Sequence, residues 1–227
     1  TGHGWDGYWK ALSNPSTAAA LRLTVPQAVL VTVVNVVLGT VVAWVLVRDD
    51  FPGKALLDLV IDVPFALPTI VAGLVLLSLY GPKSPVGLPF TNSRVGIFVA
   101  LLFVTVPFVV RAVQPVLLEL DRDVEEAAAS LGASPFTVCR RVVFPNLVPA
   151  LAAGTALAFA RAVSEYGSLV LVSGNRPFAT EVAAVRVLSL NENDNPAGAA
   201  AVATVLLAVA IVTLVGIDLL RRWAVRR

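Results

Sequence analysis

The feature that most constrains this chain is a series of five apolar runs, each about as long as the ~20 residues that a membrane-spanning helix needs. The runs cover residues 25–47, 56–80, 95–118, 147–172 and 197–220. Unpaired backbone N–H and C=O groups are costly in hydrocarbon, so segments of this kind cross a membrane as helices. The sequence therefore predicts an all-α, polytopic protein of the lipid bilayer with five visible transmembrane helices.

Composition agrees with this class and excludes several others. Charged residues make up 14% of the chain, against about 25% in typical soluble domains. The net charge of +2 is too small, and the basic residues too dispersed, to indicate a nucleic-acid partner. His3 is the only histidine, and Gly53–Lys54 is followed by Ala55 where a phosphate-binding loop has Ser or Thr. We therefore expect no catalytic, metal or cofactor site on this chain.

The second run contains Pro64 and Pro68, which we expect to kink its helix. Each proline removes a helical hydrogen bond, and the freed carbonyls must find partners in protein or water. This part of the helix should therefore face the bundle interior. On a functional interpretation, the substrate pathway is lined by Pro64, Pro68 and Thr69. The alternative is that the bend serves only the packing of the helices.

A polar loop at 119–146 separates the third and fourth runs and predicts two short helices. Asp123 is placed to cap the first helix, and Gly132 to end it. Ser134 is placed to cap the second, which Pro145 should end. Small side chains keep the first helix thin enough to lie in a groove of a partner protein, although an ordinary loop helix is the alternative. The residues expected to dock are Glu125, Glu126, Ala127, Ala128, Ala129, Ser130, Leu131, Gly132 and Pro145.

The spacing of this loop resembles the EAA motif of ABC importer permeases. Glu126 begins the E-A-A triplet, Gly132 follows at the family's interval, and Val142, Phe144 and Pro145 stand where the family has I-x-L-P. The resemblance implies a type I ABC importer transmembrane domain. It also implies that the loop is a cytoplasmic coupling helix for ATPase subunits, which would hold the ATP and Mg²⁺.

The distribution of basic residues predicts the orientation in a bacterial cytoplasmic membrane. If the loop at 119–146 is cytoplasmic, most Lys and Arg residues, including the C-terminal cluster, lie on the inner side. Residue 1 then lies outside, and the chain has no methionine, so we expect a sixth, N-terminal span to be missing. The aromatic residues before Asn14 suit a short helix at the membrane surface. The predicted division is an extracytoplasmic interfacial segment at 1–19, a membrane domain at 20–220 and a cytoplasmic basic tail at 221–227.

Two arginines lie inside the predicted spans, where charges are costly and often functional. We expect Arg161 near the middle of the fourth span, either paired with Glu165 one turn on or attracting an anion, and both can hold. Arg111, nearer the inner face, is expected to extend to the headgroups. The candidate translocation residues are Arg161, Ser164, Glu165, Tyr166, Ser168, Pro64, Pro68, Thr69 and Arg111.

Three further stretches, 43–74, 107–117 and 156–175, resemble the T-type subunit of sulfate/thiosulfate permeases. That resemblance implies a W-type second permease subunit, two ATPase subunits, and an extracytoplasmic sulfate-binding protein that docks on the loops at 81–94 and 173–196. A homodimeric molybdate or tungstate permease is the alternative, because that family shares the pattern at 159–167. An intramembrane enzyme is a more remote alternative, because the chain has a single histidine and no paired-aspartate motif.

Overall fold

The structure, a computed structural model, describes the backbone of residues 5–225 and the side chains of residues 8–222. The described residues form helices joined by turns, with no strand among them. In chain order the elements are α1 (Trp5–Leu12), α2 (Pro15–Arg48), α3 (Lys54–Ala66), α4 (Thr69–Tyr80), α5 (Arg94–Glu119), α6 (Arg122–Ser130), α7 (Pro135–Val138), a π-helical turn (Cys139–Val143), α8 (Phe144–Ser164), α9 (Leu169–Val172), α10 (Ala183–Glu192) and α11 (Pro196–Val225).

Helices α2 and α5 run parallel at the centre of the bundle. Asn35 Nδ2 donates to Thr105 Oγ1 at 2.6 Å, and both residues are buried. Four residues further along both helices, Gly39 lies so close to Val109 that an added Cβ would be 2.8 Å from the Val109 Cβ. Because two parallel neighbours need a connection that returns to the starting side, the segment between them must cross the bundle.

That crossing is made by α3 and α4, and the chain bends by 116° between them. Four helical segments of the described chain are long and apolar enough to span a membrane alone, and the bent α3–α4 pair is the fifth candidate. The predicted kink is therefore a full break. It lies at Leu67 and Pro68, whereas Pro64 is buried within α3 and does not interrupt it.

Helix α8 runs antiparallel to α5, and α11 closes the bundle. Leu147 of α8 packs in one core cluster with Leu117 of α5, while Phe159 packs in another with Ile97. Helix α11 packs on α1, α8 and α10 but is only 11% buried in its most apolar stretch. We call the end of the bundle that carries residues 119–146 the EAA end, and the other the opposite end.

The first span begins ten residues earlier than predicted. Asn14 ends the short helix α1, as expected, but its side chain also accepts a hydrogen bond from Ser16 N at 3.0 Å and caps α2. Pro15 occupies the first position of that helix, where a missing N–H has no cost. Pro26 lies inside α2. A further short helix, α10, lies in the loop between the fourth and fifth crossings.

The loop at 119–146 contains the two expected helices, with two differences. Asp121, not Asp123, caps α6, and its carboxylate accepts from Asp123 N at 2.9 Å. Pro145 does not end the second helix, because the chain first widens into the π-helical turn, where Phe144 N bonds to Cys139 O. A wider turn accommodates the proline ring, and the helix continues into α8. The Ser134 cap of α7 is confirmed.

The fourth predicted span, 147–172, is not one helix. Helix α8 ends at Ser164, Glu165 takes an extended conformation (φ −70°, ψ 123°), and a short turn leads into α9. Apolar residues on both sides of the polar stretch from Ser164 to Ser168 make up one run of span length, so hydropathy alone does not reveal the break. Two of the five crossings are therefore discontinuous.

Candidate functional site

The two broken helices touch each other at their breaks. A Cβ added at Gly167 would lie 2.9 Å from Ile70 N and would also clash with Thr69, the first residue of α4. A Cβ added at Gly73 would lie 2.8 Å from Ser168 Cα. Glycine at both positions lets the backbone of the α8–α9 turn lie directly against the first turn of α4.

A buried carboxylate stands at the centre of this contact. The Glu165 side chain has no exposed surface; its Oε2 lies 2.7 Å from Arg161 Nη2. Its Oε1 accepts from Ser168 N at 2.8 Å and from Ser168 Oγ at 2.9 Å. Because both carboxylate oxygens are engaged, Glu165 holds the turn and orients Arg161. The pairing predicted for Arg161 and Glu165 is confirmed.

Arg161 lies in the last turn of α8. The sequence predicts a position near the middle of the fourth span. The prediction assumed a span continuing to Val172. From Phe144 to Arg161 the helix rises about 26 Å at 1.5 Å per residue, which puts the arginine towards the opposite end. Its side chain is 32% exposed, and a guanidinium has five N–H donors, so donors remain beyond those that face Glu165.

The other candidates in this region divide into exposed and buried groups. Ser164 is exposed, and its hydroxyl donates to Ala160 O at 2.9 Å. Thr69 is half-buried at the start of α4. Ser168 is fully buried beside Glu165. Tyr166 lines a separate groove between α10 and α11.

Arg111, which was expected to extend to the headgroups, is held by two carboxylates of α3. Its Nε donates to Asp62 Oδ1 at 2.7 Å, and its Nη1 lies 2.7 Å from Asp58 Oδ1. Its Nη2 donates to the Asp58 carbonyl at 2.9 Å, and its Nη1 also donates to Gln114. Two carboxylates against one guanidinium give a cluster of net negative charge that joins α3 to α5.

At the EAA end, α6 is mostly exposed and has no buried residue. Gly132 follows it with φ +84°, a conformation that favours glycine. Beside it, Leu131 is 90% exposed and Phe136 is 73% exposed. Glu126 also faces outward, whereas Glu125 is half-buried and paired with Arg48 at the end of α2.

At the opposite end, the loop that precedes α5 and the loop that follows α9 are joined by hydrogen bonds. Asn92 N donates to Val172 O at 2.8 Å, and Arg176 Nη2 donates to Asn92 O at 2.7 Å. Arg94 Nε donates to Ala179 O at 3.3 Å. The two loops in which docking of a binding protein was predicted are therefore neighbours.

Several side-chain contacts of the site residues were not predicted from the sequence. Asp58 and Asp62 lie one helical turn apart, and such a pair within a span is a signal for an arginine that bridges them. Arg48 follows an apolar run directly and was counted only for its charge. The contact of Gly73 with Ser168 has no local signal, since it joins residues far apart in the chain.

This arrangement defines a class: an all-helical membrane domain with broken spans and an exposed two-helix loop between two crossings. The family model described as the binding-protein-dependent transport system inner membrane component matches residues 15–227. The chain belongs to this family and is a permease subunit of an ABC importer. In such importers, ATP hydrolysis belongs to separate subunits, and a periplasmic binding protein delivers the substrate. The family, the fold class and the transport role expected from the sequence are confirmed.

The relatives that are similar to this chain include permeases named for sulfate transport. The sulfate transport system permease protein CysT of Synechocystis is 46% identical over 98% of this chain and 80% of that protein. The CysT proteins of Salmonella typhimurium and Escherichia coli are each 43% identical over 96% of this chain and 81% of theirs.

Solved structures agree on the fold. A bacterial ABC transporter involved in the import of alginate has a TM-score of 0.81 at 13% identity, covering 96% of this chain and 83% of that one. The MetNI methionine ABC transporter has a TM-score of 0.62 at 17% identity, covering 90% and 96%.

Proposed function

We propose that this chain is the T-type permease subunit of an ATP-driven importer for sulfate and thiosulfate. The observation that supports sulfate as the substrate is the 43–46% identity of this chain, over nearly its whole length, to permeases named for sulfate transport. A doubly charged oxyanion needs N–H and O–H donors that are not all taken up by carboxylates, and charge-assisted bonds to arginine are the strongest of these.

The assembly that follows is a heterodimer with a W-type permease subunit, two ATPase subunits on the EAA end, and a sulfate-binding protein on the opposite end. The EAA end is cytoplasmic in this proposal, together with the basic C-terminal tail. Exposed Leu131 and Phe136 suit burial in a groove of the ATPase, and Glu126 suits a basic partner there.

The translocation path runs past the contact between the two breaks. Arg161 supplies the exposed guanidinium donors, and Glu165 and Ser168 hold it in place from the buried side. The first turn of α4 begins at Thr69 and adds backbone N–H groups and the positive end of a helix dipole, which favour an anion. Pro68 creates this helix start, because it cannot continue α3.

Arg111 plays a lesser part, because Asp58 and Asp62 neutralise it. ATP-driven closure of the ATPases displaces α6, which rocks the helices and changes the side from which the path is open. The discontinuity between α3 and α4 lets the two halves of that crossing move separately.

Uptake of labelled sulfate tests this function in cells that lack the chain and in the same cells after complementation. We expect uptake to be lost, restored by the chain, and inhibited by thiosulfate more than by molybdate. Unchanged sulfate uptake with lost molybdate accumulation would favour the homodimeric molybdate or tungstate permease instead. Purification of the tagged chain then reports whether a non-identical permease subunit accompanies it.

A further inference from the structure

The acidic residues at the start of the EAA motif face in different directions. Consecutive residues of an α-helix point about 100° apart, so Glu125 and Glu126 cannot both face a partner squarely. Glu126 is exposed, while the Glu125 side chain is 20% exposed and directed towards α2. The two carboxylates are therefore placed for different tasks.

Glu125 is ion-paired with Arg48, the last residue of α2. The Arg48 side chain is only 10% exposed, and its guanidinium carbon lies 5.6 Å from the centre of the Trp44 ring. A cation held by both a carboxylate and an aromatic ring has little freedom to change conformation. This contact is therefore stiffer than a pair between two exposed side chains.

The rest of α6 is weakly anchored. It has no buried residue, and its backbone neighbours are α7 and the π-helical turn. Helix α2, in contrast, packs against both α5 and α8, the central helices of the bundle. A side-chain link from α6 to α2 thus connects the most exposed helix directly to the core of the membrane domain.

We infer that the Arg48–Glu125 pair is the strut that transmits displacement of α6 to α2, a positioning role separate from docking of the ATPase. The inference rests on the proposed function, in which closure of the ATPases moves α6. Glu126 and the exposed apolar residues hold α6 to the ATPase, and Glu125 holds it to the bundle. Without the strut, α6 moves with the ATPase while α2 does not follow.

Charge exchange in the complete importer tests this role. The variants are Glu125→Arg, Arg48→Glu, the exchanged double variant, and the milder Glu125→Gln. Each importer is purified with all its subunits and reconstituted in proteoliposomes with sulfate-loaded binding protein. The readouts are retention of the ATPase, the rate of ATP hydrolysis, and sulfate taken up per ATP hydrolysed.

We expect the single charge reversals to retain the ATPase and to lose about tenfold in uptake per ATP, a size typical of coupling between sites. The exchanged variant recovers most of that loss, and Glu125→Gln lies between. The control is reversal of the Asp50–Lys54 pair at the same end, whose atoms are 3.0 Å apart and in which Asp50 is fully exposed; it leaves coupling unchanged.

Single reversals with normal uptake per ATP would overturn the strut. So would release of the ATPase by Glu125→Arg without recovery in the exchanged variant, because that result assigns Glu125 to docking. An exchanged variant that keeps the ATPase but stays uncoupled would also overturn it. Failure of the proposed substrate is seen separately, since the wild-type importer would then take up no sulfate.

Discussion

Arg161 and Arg111 are both arginines inside apolar helices, but their neighbours leave them with different charges to offer. Arg161 faces one fully buried carboxylate and keeps part of its guanidinium exposed. Arg111 faces two half-exposed carboxylates. An anion approaching Arg161 therefore meets free donors, whereas one approaching Arg111 meets net negative charge. The number of carboxylates around each arginine therefore decides whether that arginine can attract an anion.

Replacing Arg161 should destabilise the protein and abolish transport for separable reasons. Arg161→Gln leaves the Glu165 carboxylate buried without a counter-ion, which costs on the order of 3 kcal/mol. We expect a lower midpoint of thermal denaturation and little sulfate uptake. The double variant Arg161→Leu with Glu165→Gln removes the uncompensated charge, keeps a side-chain oxygen that accepts from Ser168, and should recover most of the stability. It should not recover uptake, and if it did, Arg161 would have no role in the path.

Replacing Arg111 should weaken the link between α3 and α5 while leaving substrate selectivity intact. Arg111→Met leaves Asp58 and Asp62 facing each other without a cation, which is destabilising. We expect a lower midpoint of denaturation and reduced uptake, with the relative inhibition by thiosulfate and molybdate unchanged. The variant in which Asp58 and Asp62 also become Asn should regain stability. Altered selectivity in Arg111→Met would instead assign the residue to the path.

The elements illustrate how far hydropathy can predict this fold. Five apolar crossings followed from the length of the apolar runs, and the two-helix loop followed from its glycine and capping residues. The break at Pro68 was underestimated because proline predicts a kink but not its angle. The break after Ser164 was not predicted, because the Glu165 conformation depends on its bonds to Ser168 and Arg161. Both bonds are local, but the close contact of this turn with α4, at Gly73 and Gly167, joins residues far apart in the chain, and no local pattern records it.

Close approach of the two breaks requires glycine at two positions. A Cβ at Gly167 or Gly73 would overlap the backbone of α4 or of Ser168, and overpacking of this kind costs roughly 1–3 kcal/mol. Gly167→Ala and Gly73→Ala should therefore lower thermal stability and uptake. Gly216→Ala is the matched control, since nothing lies within 4 Å of its added Cβ. Equal behaviour of all three variants would show that the breaks do not depend on this contact.

The whole molecule has two chemically different ends. The EAA end carries exposed apolar side chains on short helices, while the opposite end carries loops tied together by arginine-to-carbonyl hydrogen bonds. Binding of an ATPase at one end and of a binding protein at the other fits this difference. The proposed orientation, with the EAA end in the cytoplasm, is favoured by the larger number of basic residues at that end.

The single cysteine makes that orientation measurable. Cys139 is exposed at the EAA end, beside the groove that Glu126 and Ala129 line. A membrane-impermeant thiol reagent should label it in inside-out vesicles stripped of the ATPase, and not in intact spheroplasts. With Cys139→Ser, a cysteine introduced by Lys83→Cys at the opposite end should show the reverse pattern. Labelling of Cys139 from outside would invert the orientation, and the ATPases could not then reach α6. Protection of Cys139 when the ATPase is added back would further indicate that the partner covers this groove, as expected for a coupling helix bound in a cleft.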